Sequence, residues 1–178
     1  MARKTPNRMS STQPITDLNS LPQRLAARGH GVIEVANGQL VSVTPRWLPK
    51  QVTLAEALLW GRAAHARRAG DRCWLYYNQP RRCPNYLALK YIVSHRGASF
   101  ATFRLATLVL DRLAEIKRID AIVTEVTNLR ISARLLRRWG WEPHLENGWR
   151  RHYIKRFYGH YPRPAPALGA SLLAVAAD

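Results

Sequence analysis

The stretch DAIVTEVTNLRISARLLRRWGW, residues 120 to 141, decides the fold. Ala121, Ile122, Val123 and Val126 make an apolar run of strand length, which reaches Asn128 and then changes period. At about 100° per residue, Ile131, Ser132, Leu135, Leu136 and Trp139 fall on one side of a helix, while Arg130, Arg134, Arg137 and Arg138 fall on the other. Gly140 supplies the stop. The pattern predicts a buried strand and a two-faced helix, its apolar stripe against a sheet and its arginines in water.

Working outward, Ala106, Val109, Leu110 and Leu113 stand at helical spacing up to about Lys117. Before them come a strand at Tyr86 to Val93, a polar loop at Asn78 to Asn85, and a strand at Cys73 to Tyr77. Thr53 and Glu56 form a capping box for a helix that runs to Gly70. Val32, Ile33 and Val35, then Asn37-Gly38, then Leu40, Val41 and Val43 predict a hairpin on a two-residue turn. At the other end, Trp149 to Phe157 reads as a last strand, pairing across Asn147-Gly148 with one near Glu142 to Leu145. Strands outnumber helices and alternate with them only in the middle, which predicts an α/β fold on a sheet of mixed direction.

Length and composition suit a single domain: 178 residues, 47% hydrophobic. Residues 1–20 lack periodicity and read as a disordered basic arm, 21–160 as the domain, and 161–178 as a Pro/Ala-rich tail. Cys73 and Cys83 have no partners at zinc-ligand spacing, so no metal site is expected. Neither a secretory leader nor an apolar run of membrane-spanning length is read in the chain, and the cytoplasm is the expected compartment. The net charge of +17, with a pI near 11.1, predicts attraction to polyanions and says nothing about fold.

One turn has chemistry to offer. The strand ending at Val93 passes through Ser94 and His95 into Arg96-Gly97-Ala98-Ser99-Phe100-Ala101 and then a helix. A tight turn of small residues at a helix N-terminus presents backbone N–H groups to an anion, and a pyrophosphate is the expected guest. The plain alternative is a β–α turn whose small residues only ease packing.

Tyr91, Val93, Arg96, Gly97, Ser99 and Ala101 resemble the strand and acyl-CoA loop of the GNAT acyltransferase superfamily, with Ser99 where a glycine is usual and Val93 where a proline is usual. Asn128, Arg130, Ser132, Arg134, Leu135, Leu136, Gly140 and Trp141 resemble its second signature, with one residue inserted between Asn128 and Ser132. The resemblance covers Cys73 to Tyr158, and the N-terminal half matches less well. It implies a single-domain, GNAT-like mixed, mostly antiparallel central sheet flanked by helices. It also implies acyl transfer, most simply acetyl transfer from acetyl-CoA or another acyl-CoA, to an unidentified amine. Tyr91, Val93, Arg96, Gly97, Ala98, Ser99, Phe100, Ala101 and Asn128 would then contact the co-substrate.

In many members of that superfamily a tyrosine four residues before the glycine returns a proton to the departing thiolate, and here that place is Leu136. Tyr91, His95 and Glu125, at or beside the ends of the two central strands, are the substitutes the sequence offers; His95 and Glu125 are candidate bases. An alternative class of function follows from Arg130, Arg134, Arg137, Arg138, Arg150 and Arg151, to which Lys155 and Arg156 add charge and Trp139, Trp149 and Tyr153 add aromatic faces. Arginine meets phosphate and aromatic rings stack on bases, so this chain is alternatively a non-catalytic nucleic-acid-binding protein on the same fold. The ordinary reading of the same residues is a solvated helix face with its aromatics turned into the core.

Overall fold

The computed structural model describes residues 13–48, 70–126, 131–145 and 151–162. The helix expected from Thr53 to Gly70 lies outside them but for its last residue, as do Asn128, Arg130, Arg150 and the Asn147-Gly148 turn. Along the chain the elements are α1 (Pro22–Ala26), β1 (His30–Ala36), β2 (Gln39–Arg46), β3 (Arg72–Asn78), β4 (Tyr86–Ser94), α2 (Phe100–Ile116), β5 (Ala121–Glu125), α3 (Ala133–Arg138), β6 (Glu142–Pro143) and β7 (His152–Arg156). The strands form one sheet in the order β2-β1-β3-β4-β5-β7-β6. Among the described residues only β4 and β5 run parallel; every other neighbouring pair of strands is antiparallel. This is the α/β class and the mixed, mostly antiparallel sheet that the sequence predicts.

The β1–β2 hairpin closes as expected, with Ala36 opposite Gln39 and both turn residues in the left-handed region, Asn37 at φ 51° and Gly38 at φ 69°. Opposite β1, the register slips at β2 so that Val41 is an extra, exposed residue. This bulged strand is the sheet's edge, and Ile15 covers part of it by exchanging two backbone hydrogen bonds with Val43, 2.9 and 2.7 Å. Ile15 and Leu18 are both buried. The basic arm expected over residues 1–20 therefore gives way to packed chain by Ile15, because two apolar side chains find a place under the hairpin. At the other end Tyr161, expected in the tail, stacks its ring on Phe157 at 5.0 Å and donates its hydroxyl to the Ile119 carbonyl.

Alternation along the strands puts Ile33, Val35, Cys73, Leu75, Leu87 and Ile122 on one face, all buried. Against that face lies α2, whose Leu105, Val109, Leu110 and Leu113 are inaccessible to solvent. Four such leucines and valines, at about 1.5–3 kcal/mol each for full burial, are the main force docking the helix. Ser99 caps it, accepting the Thr102 N–H at 3.1 Å. At its far end Arg118 turns left-handed at φ 55°, and Ile119 is buried on the way into β5.

The helix expected from Ile131 forms only as Ala133–Arg138, because Ser132 caps it and accepts the Leu135 N–H. Gly140 at φ 81° ends it, with the Gly140 and Trp141 N–H groups returning to Arg137 and Leu136. Leu136, Trp139 and Trp141 are buried and Arg134, Arg137 and Arg138 exposed, as the two-faced pattern requires. Lys155, read from sequence among the surface charges, is instead 4% exposed. It shares the inward face of β7 with Tyr153 and pairs with buried Asp111 of α2 at 2.6 Å.

Candidate functional site

The two parallel strands at the centre of the sheet do not stay together. Tyr86, Leu87, Ala88 and Leu89 of β4 lie opposite Ala121, Ile122, Val123 and Thr124 of β5, and there the pairing ends although β4 runs on to Ser94. At the point of parting the Thr124 hydroxyl donates to the Leu89 carbonyl at 3.1 Å. One residue later β4 carries a bulge. Tyr77 of β3 lies opposite Leu89 and Tyr76 opposite Tyr91, so Lys90 is the extra residue. Beyond it β4 follows β3, while β5 follows β7 through Glu125 opposite His152 and a Val126 N–H to Arg151 carbonyl bond of 2.8 Å. Among the described residues, the Tyr91 to Ser94 stretch of β4 thus has ladder partners on its β3 side only.

Tyr91 stands in that stretch opposite Tyr76 and is 36% exposed, while Val93, opposite Trp74, is half-buried. Glu125 is exposed at the end of β5, on the other side of the fork. His95 belongs elsewhere. Its backbone N–H goes to the Arg72 carbonyl and its ring stands edge-on to Trp74 at 5.1 Å, so it lies on the β3 side of β4, away from β5. Its Nδ1 is buried without a hydrogen-bond partner.

The turn after β4 is built as a tight loop into α2. Ala98 N–H bonds the His95 carbonyl at 3.1 Å, Arg96 and Gly97 are exposed, and Ser99 begins the helix. Phe103 N–H bonds the Ser99 carbonyl. The Phe100 and Ala101 N–H groups occupy the first two helical positions, which have no intrahelical acceptor. Phe100 is 59% exposed and lies against Trp139 at 5.4 Å; Phe103 meets the same indole from its other neighbourhood at 5.3 Å. The end of α3 is thereby packed against the beginning of α2.

The Ser99 amide does not point into an empty turn. It donates to Asp71 Oδ1 at 2.7 Å, and the Ser99 hydroxyl donates to Asp71 Oδ2 at 2.6 Å. Burial raises the Asp71 pKa, but the hydrogen bonds from Ser99 and Thr102 outweigh it and hold the carboxyl below its ordinary value. The sequence reading missed Asp71, whose partner is 28 residues away; the local signals are a Gly-Asp pair before a strand and the Ser99-x-x-Thr102 cap.

The structure divides the arginines expected on one basic surface. Arg134, Arg137 and Arg138 are exposed on α3. Arg151 donates to the Ile131 carbonyl at 2.6 Å and lies over the Tyr153 ring, so it ties the α3 entrance to β7. No group of three or more His, Cys, Asp or Glu that could hold a metal occurs among the described residues, and none of their helices is long and apolar enough to cross a membrane.

No protein-family model matches the chain, and no curated protein matches it. Among solved structures, a nourseothricin acetyltransferase is similar to it with a TM-score of 0.35 and 16% sequence identity, over 83% of this chain and 99% of that one.

Proposed function

We propose that this chain is an acyl-CoA-dependent N-acyltransferase acting on an amine. The observation that carries the proposal is the fork between β4 and β5, where pairing stops at Leu89 and Thr124 and a bulge at Lys90 sends β4 onward without a partner on that side among the described residues. Backbone N–H groups on such a strand are fixed donors for a carbonyl oxygen entering the fork, and they need no reorganisation as charge develops on it. Tyr91 and Val93, from the first signature that resembles the GNAT superfamily, stand on the stretch of β4 that lines this fork, and Arg96 to Ala101 form the α2 turn, which supports a thioester arm lying between the strands; the described residues of the second signature, Ser132 to Trp141, lie on and just after α3.

In the proposed step the acceptor nitrogen attacks the thioester carbonyl carbon. The N–C bond forms, the C–S bond breaks, the amine gives up a proton and the thiolate takes one. Leu136 is buried and has no proton to give. Glu125 is the proposed base, since it is exposed at the mouth of the fork, and Tyr91 the proposed proton donor to sulfur from the opposite wall. His95 is placed by its Trp74 contact on the far side of β4 and has no proposed part in the proton transfers.

Thiol release from acetyl-CoA, followed with a panel of primary amines and the full chain, tests the reading. Glu125→Gln is expected to lower kcat by about 10²–10⁴. Absence of both acetyl-CoA binding and thiol release would overturn it.

A second reading has one observation in its favour, the three exposed arginines Arg134, Arg137 and Arg138 on a single short helix in a chain of net charge +17. On that reading the surface holds nucleic acid. Affinity for a single-stranded oligonucleotide should then fall steeply with salt, with a log–log slope reduced by about 0.7 per arginine neutralised. Binding unaffected by Arg134→Ala, Arg137→Ala and Arg138→Ala together would end it.

A further inference from the structure

Asp71 precedes β3, yet its carboxylate is spent on the start of α2. Both oxygens are occupied by Ser99, one by its amide and one by its hydroxyl. Ser99 Oγ also accepts the Thr102 N–H, and Thr102 Oγ1 accepts the Gly38 N–H at 2.8 Å. The Asp71 carbonyl accepts the Asn37 N–H at 2.8 Å. A single residue therefore ties the hairpin turn, the head of β3 and the N-terminus of a helix of 17 residues.

A serine cap on its own needs no carboxylate behind it. What the carboxylate adds is a negative charge at the positive end of the helix dipole, held by an amide and a hydroxyl, which is the same set of interactions that a phosphate oxygen makes at such a place. The amide it takes belongs to the turn where the donor's diphosphate is expected.

We propose that Asp71 is a specificity-determining residue for the acyl donor: its carboxylate takes the Ser99 amide that the donor's diphosphate would otherwise take. The chain then holds its donor by the thioester arm in the β4–β5 fork more than by its phosphates. The Phe100 and Ala101 amides at the first two helical positions and the exposed Arg96 remain at this turn for an anion, and any phosphate there meets the Asp71 charge as a neighbour. The donor part of this inference rests on the acyltransferase reading, whereas the displacement of an anion from Ser99 does not.

The test uses the full chain, as wild type, Asp71→Asn and Ser99→Ala, at near-physiological salt so that diffuse attraction to the basic surface is screened. The probes are inorganic pyrophosphate, acetyl-CoA and S-acetylpantetheine, which lacks phosphate. Asp71→Asn is expected to bind pyrophosphate about tenfold more tightly than wild type, with the Ser99 amide resonance shifting only in the variant. Acetyl-CoA should gain by the same factor, S-acetylpantetheine should gain nothing, and Ser99→Ala, which keeps the charge, should show no gain. Unchanged or weaker pyrophosphate binding in Asp71→Asn overturns the inference, and so does an equal gain for S-acetylpantetheine. Should Asp71→Asn fail to fold, Asp71→Ser is read by the same criteria. If pyrophosphate gains but neither protein binds acetyl-CoA, the acyltransferase reading falls and the role of Asp71 at the turn stands. If wild type turns over acetyl-CoA and Asp71→Asn changes no affinity, the reverse holds.

Discussion

Replacing Lys155 by methionine leaves the Asp111 carboxylate in the interior without its cation. The two groups are 5% and 2% exposed and 2.6 Å apart, so water cannot take over the solvation of the survivor. Breaking a buried pair by removing one partner costs about 3–5 kcal/mol, against near neutrality for replacing both by apolar groups. For a chain of this size that loss lowers Tm by about 6–20 °C. Asp111→Leu with Lys155→Met should recover most of it, to within about 1 kcal/mol of wild type, and the double-mutant cycle should therefore show strong coupling. Burial already pushes the Asp111 carboxyl up and the Lys155 ammonium down, each opposed by attraction to the other. In Lys155→Met that attraction is gone, so Asp111 takes up a proton more readily and the penalty should shrink as pH falls. Arg104, which bears on both groups and lies over Trp139 at 5.2 Å, keeps part of the field in place. Urea unfolding read by tryptophan fluorescence, with Trp139 and Trp141 both buried, is the assay. A loss below about 1 kcal/mol in Lys155→Met, or single-variant effects that simply add, would refute the reasoning.

Two other perturbations test local parts of the account. Gly31 faces Tyr77 across β1 and β3, and a Cβ there would lie 2.3 Å from the Tyr77 hydroxyl oxygen and 2.5 Å from the ring carbon that bears it. Gly31→Ala should therefore destabilise by about 1–3 kcal/mol in urea unfolding, and a neutral result would mean that the Tyr77 ring moves aside freely. Asp71 is held below its ordinary pKa, so its contribution is complete above the unfolded carboxyl value near 4 and is lost as pH falls through the lower folded value. Asp71→Asn should flatten that acid limb of stability against pH; an acid limb identical to that of wild type would contradict the hydrogen bonds at Ser99.

The parts of the fold legible in the sequence are those fixed by neighbours a few residues apart. Asn37-Gly38 is a turn whose dihedral demands are met by those two residue types, and the hairpin follows. Ala106, Val109, Leu110 and Leu113 mark the buried face of α2, and the Arg and Leu faces of α3 separate as their spacing requires. The fork between β4 and β5 was only half legible. The resemblance implies co-substrate contacts at Tyr91 and Val93, but nothing in the sequence marks Lys90 as a bulge, since an exposed lysine suits a regular strand equally well. Lys155 shows the limit most clearly. Its neighbours Arg150, Arg151 and Arg156 suggest a wet edge, and only the position of Asp111, 44 residues earlier on α2, accounts for a lysine inside. Asp71 escaped for the same reason, since a contact across 28 residues leaves no periodic trace. The place of His95 just after β4 is legible in the sequence, but not the side on which Trp74 meets its ring.

The central claim is that the fork between β4 and β5 receives a thioester arm, and a crystal structure of the full chain grown with acetyl-CoA tests it most directly. The thioester carbonyl oxygen should lie within hydrogen-bond distance of a backbone N–H between Tyr91 and Val93, with the sulfur between the two strands and the Asp71 carboxylate still on Ser99. Acetyl-CoA bound only along the Arg134, Arg137 and Arg138 face, with the fork empty, would contradict it.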